Sequence, residues 1–316
     1  MPAQLPARFK DEKAARKHLE GLLWPEGPIC PHCGVVAEAT QLKGKSTRPG
    51  VYWCNACQSP FSVTVGTCYE RSKIPLNTWL YATHLLCASK KGISSHQLAR
   101  MLGVAYKTAW FMTHRIREAM AVVPGSEGPL GGEGQVVEAD ETELGKSAKS
   151  RSKGRKHNLK FVSLIERGGK VRSRVITGAN GPISIDIHKA LRSEIDPATT
   201  LHTDGAKHYK LRYLDHESVD HNKEFAREGK GAHTVHVNSA EGYFSIFKRG
   251  LVGTYQHMSE QHLPRYLAEF DFRMSHRAKL GYTDDMRTDK ALQGIVGKRL
   301  TYRRTDNAQD NPTTSA

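Results

Sequence analysis

The chain has 316 residues, 38% of them hydrophobic, and carries 47 Lys and Arg against 32 Asp and Glu, a net charge of +15. That length suits two or three compact units, and an excess of cations this large repels itself unless a polyanion is the working partner. No stretch approaches the ~20 apolar residues of a membrane span, the N-terminus lacks the apolar core of a signal peptide, and six cysteines in so long a chain do not make a disulfide framework.

Residues 9–24 read as one short amphipathic helix, with Phe9, Ala15, Leu19 and Leu22 apolar, ending before Pro25. Residues 28–68 follow as a small cysteine-rich module. Cys30-Pro-His-Cys33 and Cys54-Asn-Ala-Cys57 are two CxxC turns with 20 residues between them. Each turn offers two thiolates, so the pair predicts one closed, structural Zn²⁺ site that folds a module too small for its own core. Chance cysteines or a redox pair fit that spacing poorly. His32 lies inside a complete turn and is expected to be solvated, while Cys68 and Cys87 read as buried thiols.

Residues 75–121 are helical. Within them, Ser94 or Ser95 caps a helix whose Leu98, Met101 and Leu102 face inward, Gly103 permits a turn, and Ala105, Ala109, Met112 and Ile116 form the stripe of a second helix. This predicts a helix-turn-helix DNA reader. Tyr106, Lys107 and Thr108 stand at its groove-facing start, with Arg115 and Arg117 near phosphates. An ordinary helical hairpin gives the same pattern, and it is the ribbon and the charge that favour DNA.

The Gly- and Pro-rich stretch 122–134 reads as a linker. Residues 135–280 then alternate strands (136–140, 161–166, 171–177, 199–203) with helices near 183–194, 239–249 and 260–276, a mixed α/β layer domain. Residues 281–316 read as a C-terminal extension with a disordered end. Seven Lys or Arg and no acid occupy 146–160, where Arg151, Arg155 and Lys156 are candidate DNA-backbone contacts or a solvated hairpin tip. His202, His216, His221, His233 and His236 lack ligand spacing and read as surface or phosphate-contacting residues.

Among the acids, Asp140 ends the first strand and Asp204 follows a later one. In the helix near 239–249, Ala240, Phe244, Phe247 and Leu251 form the apolar stripe, and Asn238, Glu241, Ser245 and Lys248 a polar one. Carboxylates that converge can hold two hard divalent cations for in-line displacement at phosphorus. Spacing alone does not choose them: Glu138 and Glu141 compete with Asp140, and Asp186, Asp196 and Asp215 with Asp204.

From about Phe9 to Arg277 the chain resembles the bacterial and archaeal transposases of the insertion sequence 1595 family, whose catalytic part is called ISXO-like DDE. The resemblance is carried by WPEGPICPHCG (24–34), YWCNACQSPFSVTVGT (52–67), VEADET (137–142), TDG (203–205), EGYFSIFKRGLVGTYQHMS (241–259) and HLPRYLAEFDFR (262–273). It implies a ribonuclease-H-like α/β domain behind a zinc ribbon and a helix-turn-helix, with a D-D-N/E-K signature. Asp140 and Asp204 become the aspartates, Glu241 the favoured third ligand with Asn238 its alternative, and Lys248 the lysine, beside Arg249 as a DNA contact. It further implies one structural Zn²⁺, two catalytic Mg²⁺ or Mn²⁺, terminal inverted repeats and target DNA as partners, a homodimer or larger synaptic assembly, and a nucleoid-associated place in a prokaryotic cytoplasm. Two features depart from the family: TELGKS follows the first aspartate in place of an aromatic and a glycine, and Ala240 and Tyr243 replace the usual Ile and Trp. The rival readings are a catalytically inactive regulator derived from a transposase and a structure-selective nuclease that never joins ends.

Overall fold

The computed structural model describes residues 5–123, 125–144, 159–176, 182–209, 213–220, 223–229 and 234–301. The chain divides into two compact units, one of Met1–Thr83, Ser95–Ala119 and Ala291–Ala316, the other of His84–Ser94 and Met120–Lys290.

In the first unit the expected N-terminal helix is two, α1 (Ala7–Lys10) and α2 (Glu12–Leu23). Asp11 between them is extended and accepts the Ala14 N–H at 2.7 Å, so a capping carboxylate restarts the helix. The ribbon is an antiparallel sheet of β1 (Ala39–Gln41), β2 (Tyr52–Cys54) and β3 (Pro60–Phe61). Trp24, Tyr52 and Phe61 pack over buried Cys30 and Cys54. Helix α3 (Leu76–Ala88) contributes its residues up to Thr83 to this unit, followed by α4 (Ser95–Leu102) and α5 (Tyr106–Met120). The turn between α4 and α5 falls where Gly103 was expected to allow it, with φ +65°. Leu98, Ala109, Met112 and Ile116 are buried as anticipated, but Met101 is exposed, as is Ala105 at the foot of α5.

The C-terminal segment is no mere extension. Thr67 pairs with Val296, the Cys68 N–H reaches the Ile295 carbonyl and the Gly297 N–H the Gly66 carbonyl, so residues beyond 290 close the first unit against the end of the ribbon. The tail expected to be disordered lies, from 302, outside the described residues.

The second unit is built on a five-stranded mixed sheet. Strands β4 (Val136–Leu144), β5 (Leu159–Glu166) and β6 (Val171–Ile176) form an antiparallel meander; the chain then crosses through α6 (Ile183–Glu194) to β7 (Thr200–Thr203) and on to β8 (Asp215–Ser218). The order is β6-β5-β4-β7-β8, with β7 parallel to both neighbours. A small pair, β9 (Arg227–Glu228) and β10 (Thr234–Val235), leads into α7 (Asn238–Gly250), which runs into a π-helical turn over Leu251–Tyr255. Helices α8 (Leu263–Ser275) and α9 (Asp284–Gln293) follow.

Strand alternation makes this a three-layer arrangement. Val137, Ala139, Val162, Leu164 and Leu201 face α6 in one core. Leu144, Phe161, Ile165 and Val171 face Ala240, Phe244 and Phe247 of α7 and Phe270 of α8 in the other. Part of the expected linker belongs to the domain: Leu130 is buried and its backbone pairs with Glu194 and Asp196. The distinctive KRGLVGTY segment is a packing device. A Cβ on Gly250 would lie 2.6 Å from the Phe270 ring and 3.0 Å from the Lys91 carbonyl, and the Tyr255 hydroxyl donates to Glu269 at 2.5 Å.

Candidate metal centres and the carboxylate face

The four ribbon cysteines meet. Their sulfurs all lie within 4.8 Å of one another, and no other trio of His, Cys, Asp or Glu among the described residues is so close. Cys30 Sγ is 3.6 Å from Cys57 Sγ, and Cys33 Sγ 3.6 Å from Cys54 Sγ. Zn–S bonds of ~2.3 Å in a tetrahedron require sulfur–sulfur edges of about 3.8 Å, so the donor set fits Zn²⁺. The turns themselves are alike: Gly34 N–H returns to the Cys30 carbonyl and Gln58 N–H to the Cys54 carbonyl. The backbone N–H of Cys57 holds the Cys54 thiol down at about 7, the thiolate side that zinc needs. His32 is exposed, and Cys68 and Cys87 are buried, each pushed up to about 12 by burial and therefore unreactive.

On α5, Tyr106 is exposed and stacks on His96 at 4.1 Å, with Lys107 exposed and Thr108 half-buried beside it. Arg115 does not face outward as expected. It is 9% exposed, its Nε and Nη1 donate to the Leu300 and Glu70 carbonyls, and its guanidinium lies over Phe111. Arg117 is buried too, with Nη1 on Thr113 Oγ1. Both sit about three turns into the helix on its inner side, where a guanidinium serves the chain's own oxygens rather than phosphates. Arg151, Arg155 and Lys156 lie outside the described residues, as do His221 and His233.

In the second unit, pairing of β4 with β7 runs through Glu138 opposite His202. Two residues on stand Asp140 and Asp204, on the sheet face covered by α7; Asp140 does not end its strand as expected, because pairing with β5 carries β4 on to Leu144, whereas Asp204 follows the last residue of β7. Burial pushes the Asp140 carboxyl up to about 7; the charges of Asp204, Glu141 and Glu241 push the same way, and the Glu141 N–H, 2.8 Å from Oδ1, works against them. Asp204 accepts the Ala206 N–H at 3.1 Å. Glu241 is exposed on the first turn of α7, and Lys248, seven residues on, projects within about 20° of it around the helix. Asn238 and Arg249 do not share that flank; they line a separate cleft with Gly242 and Ser245.

Each competing acid has another occupation. Glu138 is fully buried and caps α7 from outside the helix: its Oε2 accepts the Ser239 N–H at 2.8 Å and the Ala240 N–H at 3.2 Å, and its Oε1 meets Ser239 Oγ, Arg167 Nε and His236 Nδ1. Arg167 also bonds the Thr234 and His236 carbonyls and His202 Nδ1. Glu141 alternates to the α6 face, taking the Tyr209 hydroxyl and lying 3.1 Å from His208 Nε2. Asp196 closes a turn on the Ala198 N–H and Asp215 begins β8 near Thr200, both at the end of β7 opposite Asp204, while Asp186 lies in the first turn of α6, the helix that covers the other face of the sheet. The histidines are not surface residues as a group. His202 is buried in the Arg167 network, His216 bonds Thr203 Oγ1, and burial lowers the His236 pKa. Sequence reading missed Glu138 as the cap; its signal was an acid two residues before Asp140, hence on the same buried face.

A Cys₄ cluster of zinc-ribbon type, joined to a mixed α/β domain with acids on adjacent strands, is the class of protein the fold defines. The sequence families agree: residues 129–275 match the ISXO2-like transposase domain and residues 10–59 the transposase zinc-ribbon domain. The chain belongs to this insertion-sequence transposase family. It is also 27% identical over 282 residues to an uncharacterized protein in transposable element ISH50 of Halobacterium salinarum, covering 84% of this chain and 91% of that one. The substituted Tyr243 is fully accommodated, its hydroxyl donating to Asp271 at 2.5 Å and lying 3.2 Å from Ser173 Oγ.

Proposed function

We propose that the chain is a DNA transposase that binds the terminal inverted repeats of an insertion sequence and cleaves and transfers DNA strands. The observation that carries this reading is one sheet face on which Asp140, midway along β4, and Asp204, just past the end of the parallel neighbour β7, lie on adjacent strands while Glu241 of α7 adds its charge to that of Asp204 around Asp140. The order β6-β5-β4-β7-β8, an antiparallel meander extended by parallel strands, supports a ribonuclease-H-like fold for the second unit. All three donors are hard carboxylate oxygens, the chemistry that Mg²⁺ or Mn²⁺ prefers, and their mutual repulsion is what a divalent cation would relieve. Bound there, such cations supply Lewis acidity for displacement at phosphorus.

The residues themselves divide the remaining work. Asp140, Asp204 and Glu241 hold the charge; Glu241 is favoured over Asn238 because it shares the electrostatic field of Asp140 and the flank of Lys248. Lys248 offers its ammonium to a DNA phosphate near the cut. The first unit reads DNA, with α4 and α5 as a helix-turn-helix and Tyr106, Lys107 and Thr108 at the start of its recognition helix. Two ends held together call for a dimer or larger assembly.

The test is strand cleavage on an oligonucleotide carrying the element's end. Asp140→Asn, Asp204→Asn and Glu241→Gln should each remove Mg²⁺-dependent cleavage while repeat binding persists. Wild-type cleavage rates in both aspartate variants would sink the assignment. Asn238→Ala should leave most activity.

A further inference from the structure

On the other flank of α7 from Glu241 lies a cleft of about 790 Å³, wholly within the second unit, bounded by α7, α8, the β5–β6 turn, the end of α3 and residues 278–287. Its charged lining is six cations, Lys90, Arg249, Arg273, Arg277, Lys279 and Arg287, against two acids. Both acids are engaged locally: Glu166 accepts the Lys170 N–H at 3.2 Å, and Asp284 pairs with Arg287 at 2.6 Å. The exposed cations Lys90, Arg249 and Lys279 have no carboxylate partner among the described residues; Arg249 spends only its Nε, on the Ser245 carbonyl.

Two further observations point to an occupant. Arg273 is 7% exposed; its Nη1 serves Glu269 and the Leu86 carbonyl, but its Nε and Nη2 are buried with no hydrogen-bond partner. Gly242 stands in the middle of α7, where glycine weakens a helix, and a Cβ there would meet nothing within 4 Å. Packing within the chain does not require that glycine, and its bare backbone leaves room for a ligand laid against the helix. With Ser239 and Ser245 it makes a narrow floor of small residues under a basic rim. The first N–H groups of α7 are already taken by Glu138, so the anion site is made of side chains, not of the helix end.

We propose that this cleft holds the sugar-phosphate backbone of a DNA strand, with Lys90, Arg249 and Lys279 on its phosphates and Gly242 at the closest approach. A whole duplex is too broad to enter, so one backbone seats there while the carboxylates on the neighbouring flank act elsewhere on the DNA. The inference rests on the transposase reading but not on its metal site.

Binding of the full-length, zinc-loaded chain to a fluorescent duplex and to a single strand of equal length, without divalent cations, tests it. The triple variant Lys90→Ala, Arg249→Ala and Lys279→Ala should weaken binding at least tenfold at low salt. It should also flatten the dependence of log K on log salt by about 2–3, each phosphate contact contributing ~0.7–0.9. Gly242→Leu should weaken binding at an unchanged or raised melting temperature, an outcome that misfolding cannot imitate. A triple variant with wild-type affinity and slope overturns the cleft and leaves the transposase reading standing, as does a cleft that takes inorganic phosphate without altering the DNA slope. A wild-type chain that binds no DNA overturns both.

Discussion

The two candidate metal centres are assembled by opposite means. The ribbon site is local: two four-residue turns and a three-stranded sheet bring four sulfurs within 4.8 Å of one another. Four thiolates repel one another until a cation binds, so here the metal and the fold form together. The carboxylate face is long-range, drawn from residues 140, 204 and 241, and gathering it costs free energy: Asp140 is raised first by burial and then by the charges of its acidic neighbours. What brings them together is the fold: parallel pairing of β4 with β7, and a buried Glu138 that anchors α7 to β4. A site of paired thiols is written in spacing, and a site of like charges has to be written in topology.

The largest expected effect bears on the local half of that contrast. Purified without chelator, the chain should hold one zinc. Stripping it, or making Cys30→Ser with Cys54→Ser, should unfold residues 28–68, since structural zinc contributes on the order of 10 kcal/mol to such modules. Circular dichroism and zinc analysis of the same samples read this out. A ribbon that stays folded after its metal is gone would remove the claim that the cage is the fold.

Glu138 tests the long-range half. Glu138→Ala leaves Arg167 without its buried partner and two α7 N–H groups uncapped, and should cost about 3–5 kcal/mol in denaturant unfolding. Cleavage should fall with it although Glu138 touches no substrate, because α7 carries Glu241. Glu138→Gln keeps an acceptor and should lose less of both. If cleavage vanished in Glu138→Gln at nearly native stability, Glu138 would be a ligand and the division of roles would fail.

This contrast also explains what was legible beforehand. The CxxC pairs, the four strands and two helices read between 136 and 250, and Gly103 in the α4–α5 turn follow from local chemistry and periodicity. Asp11 as a helix restart was not read because the hydrophobic stripe runs straight through it. Arg115 was misplaced because a helix stripe gives faces but not what covers them. Leu300 and Glu70, whose carbonyls hold it, lie 185 and 45 residues away. Choosing Asp140 and Asp204 over their neighbours took the family resemblance. Periodicity lacked strand register, which now separates Glu138 and Glu141 by face and partner. Arg115→Ala should accordingly cost about 2–3 kcal/mol of stability. Lys107→Ala should instead leave stability within about 0.5 kcal/mol and lower the salt slope of DNA binding by about 1.

Asp140 gives a modest effect and the sharpest sign. Its carboxyl is raised from the ordinary value of 3.8 to about 7, so the folded chain holds this proton more tightly than the unfolded chain does. The stabilisation from that proton is complete below pH 4 and is lost as pH climbs from 4 to 7, where folding must bear a buried charge among Asp204, Glu141 and Glu241. Asp140→Asn carries no such charge. In metal-free buffer at pH 8 it should therefore be more stable than the wild type by on the order of 2 kcal/mol, with the gap closing as pH falls to 4. Adding Mg²⁺ should reverse the order at pH 8, raising the wild-type melting temperature and leaving the variant nearly unmoved. Melting curves over pH with and without Mg²⁺ decide it. An Asp140→Asn chain less stable than wild type at pH 8 without metal would mean that this aspartate is held by favourable partners rather than crowded by like charges. The contrast between the two centres would then collapse at its central residue.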